Sequence, residues 1–193
     1  MMFVAGFTGA FSEATDAQEN WEYQIAAFPS GLENITAWAQ DNTTAFELTL
    51  VAQASITGTT KAIDLKGNDV LSEQDDALHR LNLLNGNLPQ VGQSPVEGIL
   101  DEGSAALEGY SVGDTISIEF EGEEHSIKIV GIARELSRSI YMHRADVEPI
   151  VGLEANGALL ITKDGVDIED IRFSTVSIAV SYTHLTLPTM IGV

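Results

Sequence analysis

The side chains best suited to chemistry in this 193-residue chain are few and scattered. Histidine occurs at His79, His125 and His143, with His184 near the C-terminus. No two of them fall within the few residues that metal-ligand spacing requires. Asp75 and Asp76 are adjacent carboxylates, but no glycine-containing calcium loop surrounds them, and they read as helix capping. Gly103-Ser104 has the look of a helix N-cap rather than a nucleophile, and Gly113-Asp114 that of a turn. There is no Gly-x-Ser-x-Gly elbow and no glycine-rich loop ending in Lys-Ser/Thr. His125 is expected on the polar side of a hairpin, exposed to solvent. No catalytic, cofactor-binding or metal-ligating residue is predicted, no cofactor is implied, and the chain does not read as an enzyme. A hydrolase built on paired acids is a distant reading, because chance pairs are expected among 29 acidic residues.

Composition narrows the classes further. Acidic residues outnumber basic ones 29 to 9, for a formal net charge of −20. Nucleic acid and anionic membrane surfaces both require clustered Lys and Arg, so neither is expected as a direct partner. The only basic cluster in the sequence is Arg134, Arg138 and Arg144. Cysteine is absent, which removes disulfides and thiol chemistry. Apolar residues make up 44% of the chain, enough for a folded core.

The elements that would position any site follow from periodicity. A first strand is expected over residues 21–28. Ser30 and Glu33 form a capping box for a helix over 31–40, with Leu32, Ile35, Trp38 and Ala39 on its apolar face. Strands follow over 45–57 and 60–65, with Gly58 turning between them and Lys66-Gly67-Asn68-Asp69 turning after them. The acidic run from Ser72 to Asp76 opens a short helix toward Leu81. Beyond Ala133 the pattern predicts a short strand at 140–142, a strand over 157–162, a short helix at 167–170 and a last strand over 173–180.

The most patterned stretch is 83–133. Ile116, Ile118 and Phe120 alternate with Thr115, Ser117 and Glu119, and Ile127 and Ile129 alternate with Ser126 and Lys128. Such period-two runs on either side of Gly122 predict a β-hairpin with Ile116, Ile118, Ile127 and Ile129 on one buried face. The ordered set Gly86, Pro89, Glu97, Leu107, Gly113, Asp114, Val130, Gly131 and Ile132 resembles the extracytoplasmic core domain of FtsX-like ABC-transporter permeases, also called the MacB-like periplasmic core. The resemblance implies an α+β fold: a mixed β-sheet with short helices plus a small β-hairpin or barrel-like subdomain.

It also implies a function. Such a domain sits outside the cell (inner) membrane and is held there by transmembrane helices. A separate ABC ATPase subunit works on the cytoplasmic side, and a homodimer or paired permease is a possible assembly. ATP hydrolysis is then coupled to work on a substrate or partner outside. A secreted or anchored β-rich binding module is the alternative. Residues 1–11 are apolar and uncharged but about half the ~20 residues that span a bilayer, and they are expected to be the outer part of a truncated first transmembrane helix. Residues 12–179 are the expected extracytoplasmic core. Residues 180–193 resemble a translated sequencing adaptor, in a frame that accounts for the terminus at Val193, so Tyr182 and His184 are not read as functional.

Overall fold

The computed structural model describes residues 19–26, 29–135, 137–166 and 179–182. Ten strands and three helices lie among them. They are β1 (Tyr23–Ala26), α1 (Pro29–Asn42), β2 (Thr43–Ile56), β3 (Ala62–Asn68), β4 (Leu83–Gly86), β5 (Val96–Asp101), α2 (Glu102–Glu108), β6 (Thr115–Phe120), β7 (Glu123–Ala133), β8 (Ser139–His143), α3 (Arg144–Val151), β9 (Gly157–Thr162) and β10 (Ala179–Tyr182). The strands run in the order β10-β1-β9-β2-β3-β8-β5-β7-β4, and β6 bridges β7 and β2. That bridge closes β2, β3, β8, β5, β7 and β6 into a ring. Parallel pairings β3–β8 and β5–β7 sit among antiparallel ones, so the sheet is mixed. The fold is the α+β class expected, with the barrel-like part formed by this ring.

The hairpin behaves as its alternation predicts. Ile116, Ile118, Ile127 and Ile129 are all fully buried and pack with Leu50, Ile63, Leu65, Leu100, Ile140 and Met142 inside the ring. Val147 and Ile150 of α3 close one side of this core. The hairpin loop is tighter than expected: Glu121 and Gly122 alone connect the strands, both at positive φ (50° and 86°), and β7 already begins at Glu123. A two-residue turn with both residues left-handed matches the twist of the paired strands. His125 shares the parity of Ile127 and Ile129, so it lies on the inward side at the rim of the ring. It is half-buried, not a solvated surface residue.

Strand β2 is long enough to serve two sheets. Its second half pairs with β3 inside the ring, and its first half pairs with β9. Beyond β9 lie β1 and then β10. Helix α1 covers one face of this extension, with Leu32 and Ile35 buried against Ile25, Ala158 and Leu160 and with Trp38 packed alongside. The predicted apolar face of the helix is the one it buries.

Three expected elements differ. Residues 66–68 continue β3 rather than turning, since Lys66, Gly67 and Asn68 pair with both β2 and β8. Residues 72–81 form no helix. Leu71 and Leu81 are buried in one cluster and Leu78 in another, with Trp21 and Leu159. A straight helix has one apolar stripe and cannot serve two separate clusters. The segment is instead a folded loop, tied by the bridges Glu19↔His79 and Ser72↔Arg80. The N-cap of α2 is Asp101, not Gly103-Ser104. Asp101 Oδ1 accepts from Ser104 N at 2.8 Å, while Oδ2 accepts from Ser139 N at 3.0 Å. The buried carboxylate thereby fastens the α2 turn to the start of β8.

Residues 1–11 and the helix expected at 167–170 lie outside the described residues. Of the expected strand over 173–180, Ala179 and Val180 are described, in β10, whose Val180, Ser181 and Tyr182 pair with Ile25, Gln24 and Tyr23. No helix among the described residues is long and apolar enough to cross a membrane.

The motif residues have structural reasons. Gly86 and Gly131 face each other across β4–β7. A Cβ on Gly86, at φ 87°, would collide with Val130 O and lie 2.8 Å from Gly131 Cα. Gly113 N donates to Ile129 O, Ile129 N donates to Asp114 O, and Ser111 N donates to Asp114 Oδ2, which fixes the hairpin's entry. Glu97 pairs with Lys128 across β5–β7 and accepts from Gln90 N. Leu107, by contrast, is 76% exposed. Gly86→Ala and Gly122→Ala both place a side chain at positive φ, but a Cβ at Gly122 meets nothing within 4 Å. Gly86→Ala is therefore expected to cost roughly 1–3 kcal/mol more than Gly122→Ala in urea unfolding. Equal costs would mean that the close approach of β4 to β7 has no energetic weight.

Candidate functional site

The cross-strand register places Val51 of β2, Lys66 of β3 and Tyr141 of β8 side by side on the outer face of the ring. Their neighbours in each strand point into the core, so the period of two exposes them on the opposite face. The loop over 69–82 then folds across this face and brings His79 onto Tyr141, with ring centroids 5.1 Å apart and planes 6° from parallel. The β7–β8 connection supplies Glu135 and Ser137. Together with Trp21, Gln24, Thr49 and Asn68 they line a cleft of about 210 Å³.

Its polar groups form a chain. Lys66 Nζ donates to Ser137 Oγ at 2.8 Å and to Tyr141 Oη at 3.0 Å. Tyr141 Oη donates to Glu135 Oε2 at 2.9 Å. Glu135 Oε1 lies 3.8 Å from His79 Nε2, and neither atom has a hydrogen-bond partner among the described residues. The Glu135 side chain is only 5% exposed.

Burial dominates the electrostatics. It pushes the Glu135 carboxyl up to about 7, against the opposing effects of the Tyr141 hydrogen bond and the Lys66 charge. It pushes His79 down to about 4, helped by the Lys66 charge, so His79 is neutral at pH 7 and the close pair is not an ion pair. Lys66 is lowered by burial and held up by Glu135, Asp64, Glu19 and Asp101. Tyr141 is raised by burial and by Glu135. Ionisable groups displaced by burial and gathered in one cleft are where functional sites concentrate. Ser137 beside Lys66 does not form an activated nucleophile in this arrangement: an ammonium that donates to a hydroxyl cannot also take its proton.

The residues singled out in the sequence are not brought together. His79 enters the cleft, His125 sits at the ring's rim, and His143 Nε2 lies 3.1 Å from Pro89 O at the start of α3. Asp75 pairs with Arg80 at the surface. Ser104 is 1% exposed, out of reach of a substrate. No group of three or more His, Asp or Glu among the described residues is arranged to hold a metal ion. Each of the three arginines is paired with carboxylates: Arg134 with Glu102, Arg138 with Glu108, and Arg144 with Asp69 and Glu148. Lys66, Glu135, Ser137 and Tyr141 were not visible as a site in the sequence. The available signal was a lone lysine and a lone tyrosine, each flanked by apolar residues at strand spacing.

This fold is similar to those of two solved transporter domains. The periplasmic region of MacB from Actinobacillus actinomycetemcomitans matches this fold with a TM-score of 0.53 at 15% sequence identity, covering 82% of each chain. The extracellular domain of the noncanonic ABC-type transporter YknZ from Gram-positive bacteria matches with a TM-score of 0.55 at 14% identity, covering 78% of this chain and 88% of that one. At these identities the likeness is one of fold. No protein-family model matches the sequence, and no curated protein does.

Proposed function

We propose that this chain is the extracytoplasmic domain of an ABC-transporter permease subunit, acting without catalysis of its own. The observation that supports the reading is a fold likeness spanning about four-fifths of the chain to two such transporter domains. In this reading residues 1–11 are the outer part of a first membrane helix, residues 12–179 are the working domain, and residues 180–193 are adaptor-derived. The backbone pairing of Val180 to Tyr182 on β1 fits a non-native tail, since an open strand edge accepts any extended segment. The permease belongs to the inner membrane, alone as a homodimer or with a second permease. A separate ATPase closes on the cytoplasmic side, and the membrane helices pass the motion to this domain.

The reading requires that the nucleotide be handled elsewhere. Isothermal titration of ATP into the purified chain is expected to give no saturable heat, and incubation no phosphate release. No loop of the chain combines the glycines and lysine that cradle triphosphates. Saturable ATP binding at micromolar concentration would contradict the division of labour proposed.

A further inference from the structure

Asparagine precedes glycine at two places in the chain, Asn85-Gly86 and Asn156-Gly157. Such a pair can cyclise: the glycine amide nitrogen attacks the side-chain carboxamide carbon, and no Cβ on the glycine obstructs the approach. The reaction needs a free carboxamide and a free backbone nitrogen. The fold treats the two pairs in opposite ways.

The Asn156 carboxamide is held at both ends. Its Oδ1 accepts from Val51 N at 2.9 Å, and its Nδ2 donates to Val51 O at 2.7 Å. Gly157 is buried and paired on both sides, with Thr49 of β2 and Ala26 of β1. Asn85, by contrast, is exposed, and its side chain has no hydrogen-bond partner among the described residues. Its strand β4 ends the sheet, with β7 as its one neighbour. Bonded and unbonded pairs alternate along an antiparallel ladder. Asn87 N donates to Val130 O at 2.9 Å, so Asn87 and Val130 are a bonded pair and the adjacent Gly86 and Gly131 are not. The Gly86 N–H therefore points away from β7, toward the open edge. Ring closure takes Asn85 out of its extended conformation, but that disturbs only a four-residue edge strand, and such elements open at low cost.

We propose that Asn85 is a site of spontaneous covalent modification, converted through a succinimide with Gly86 into isoaspartate and aspartate. The Gly86 nitrogen gives up its proton and bonds to Asn85 Cγ. The Cγ–Nδ2 bond breaks, and the side-chain nitrogen leaves with that proton as ammonia. Water then opens the ring at either carbonyl. Opening at the main-chain carbonyl leaves isoaspartate, whose main chain runs through Cβ and Cγ; opening at Cγ leaves aspartate. Either product places a carboxylate within residues 81–96, which carry no charged side chain. Isoaspartate also adds one carbon to the backbone just before Gly86, where a Cβ would already lie 2.8 Å from Gly131 Cα. The lengthened chain cannot keep both that close approach and the bond from Asn87 to Val130, so the modification loosens β4. The inference does not depend on the transporter reading, because it rests on the two Asn-Gly pairs and the sheet edge alone.

Incubation of the full 193-residue chain for weeks at about pH 8, where base assists removal of the amide proton, tests it. One sample is folded and one is held in urea. Tandem mass spectrometry of the peptides locates the conversion, and enzymatic methylation detects isoaspartate. Assignment to the residue separates Asn85 from Asp164-Gly165, where isomerisation releases no ammonia. In urea both Asn-Gly pairs are expected to convert at similar rates, because the fold no longer distinguishes them. In the folded chain Asn85 is expected to convert at least about tenfold faster than Asn156, whose two hydrogen bonds must break first. Asn85→Gln, which cannot form a succinimide, is expected to abolish the conversion at that position. The isoaspartate form, separated by ion exchange, is expected to unfold at a lower urea concentration than the unmodified chain. No conversion at Asn85 in the folded chain, or conversion at Asn156 as fast as at Asn85, would overturn the proposal. An unchanged unfolding midpoint for the isoaspartate form would overturn the loosening of β4.

Discussion

Ile118→Ala is expected to lower the unfolding free energy by ~2–5 kcal/mol, the range for truncating a fully buried aliphatic side chain. Ile118 is fully buried at the point where β6 closes the ring: it lies opposite Ile56 of β2 on one side and His125 of β7 on the other. Its side chain belongs to the cluster formed by Leu50, Ile63, Ile116, Ile127 and Ile129. The β2–β6 pairing is short, with two register pairs, so backbone bonds alone hold that seam weakly. Most of the closure therefore comes from apolar packing, and a cavity at Ile118 removes it where the ring has least reserve. Glu119, the next residue, points outward and is exposed. Glu119→Ala is expected to change stability by less than about 0.5 kcal/mol. Urea unfolding of both variants with an unchanged m-value checks this, and equal losses would show that the register assigned to β6 is wrong.

Glu135→Gln is expected to be more stable relative to wild type at pH 8 than at pH 4.5, by ~3 kcal/mol. The Glu135 carboxyl titrates near 7 in the folded chain and near 4.5 unfolded. The folded state therefore holds a proton that the unfolded state has lost across that window. Stability from this group is full below pH 4.5 and is lost as pH rises to about 7, at ~1.4 kcal/mol per unit. His79 runs the other way. Its folded value is near 4 against 6.5 unfolded, so its contribution is present above 6.5 and lost as pH falls toward 4. Between 4.5 and 6.5 these two contributions oppose each other and largely cancel. The amide that replaces the Glu135 carboxyl can still accept from Tyr141 but cannot ionise, which uncovers the His79 slope. Unfolding midpoints from pH 4.5 to 8 test this, and a variant gap independent of pH would show that Glu135 is not buried as described.

What the sequence reveals and what it hides divide along physical lines. The hairpin is legible because Ile116, Ile118, Ile127 and Ile129 need only their immediate neighbours to declare a strand with one buried face. Helix α1 is legible for the same reason, through Leu32, Ile35, Trp38 and Ala39. The segment 72–81 misleads, because its leading carboxylates imitate a helix start while Leu71, Leu78 and Leu81 serve two different clusters. That misreading conceals the cleft. Lys66 and Tyr141 look like outward, solvent-facing residues until the same loop covers them, and Glu135 comes from a connection with no pattern at all. A site built from three segments distant in sequence leaves no local spacing to find. The parity of His125 with Ile127 and Ile129, by contrast, was available in the sequence and places it inward.

The most direct test of the permease reading is long-read sequencing of the source DNA through both ends of this coding region and across the codons for Val180 and Ser181. The account predicts that the native frame departs from the present one at that junction. It then continues through three apolar stretches of ~20 residues, next to a gene that encodes an ATPase with a Gly-x-x-x-x-Gly-Lys-Ser/Thr loop. A native frame that reads through Ser181–Val193 to a stop, with no membrane-spanning segment and no ATPase gene beside it, would contradict the account and leave a secreted or anchored binding module in its place.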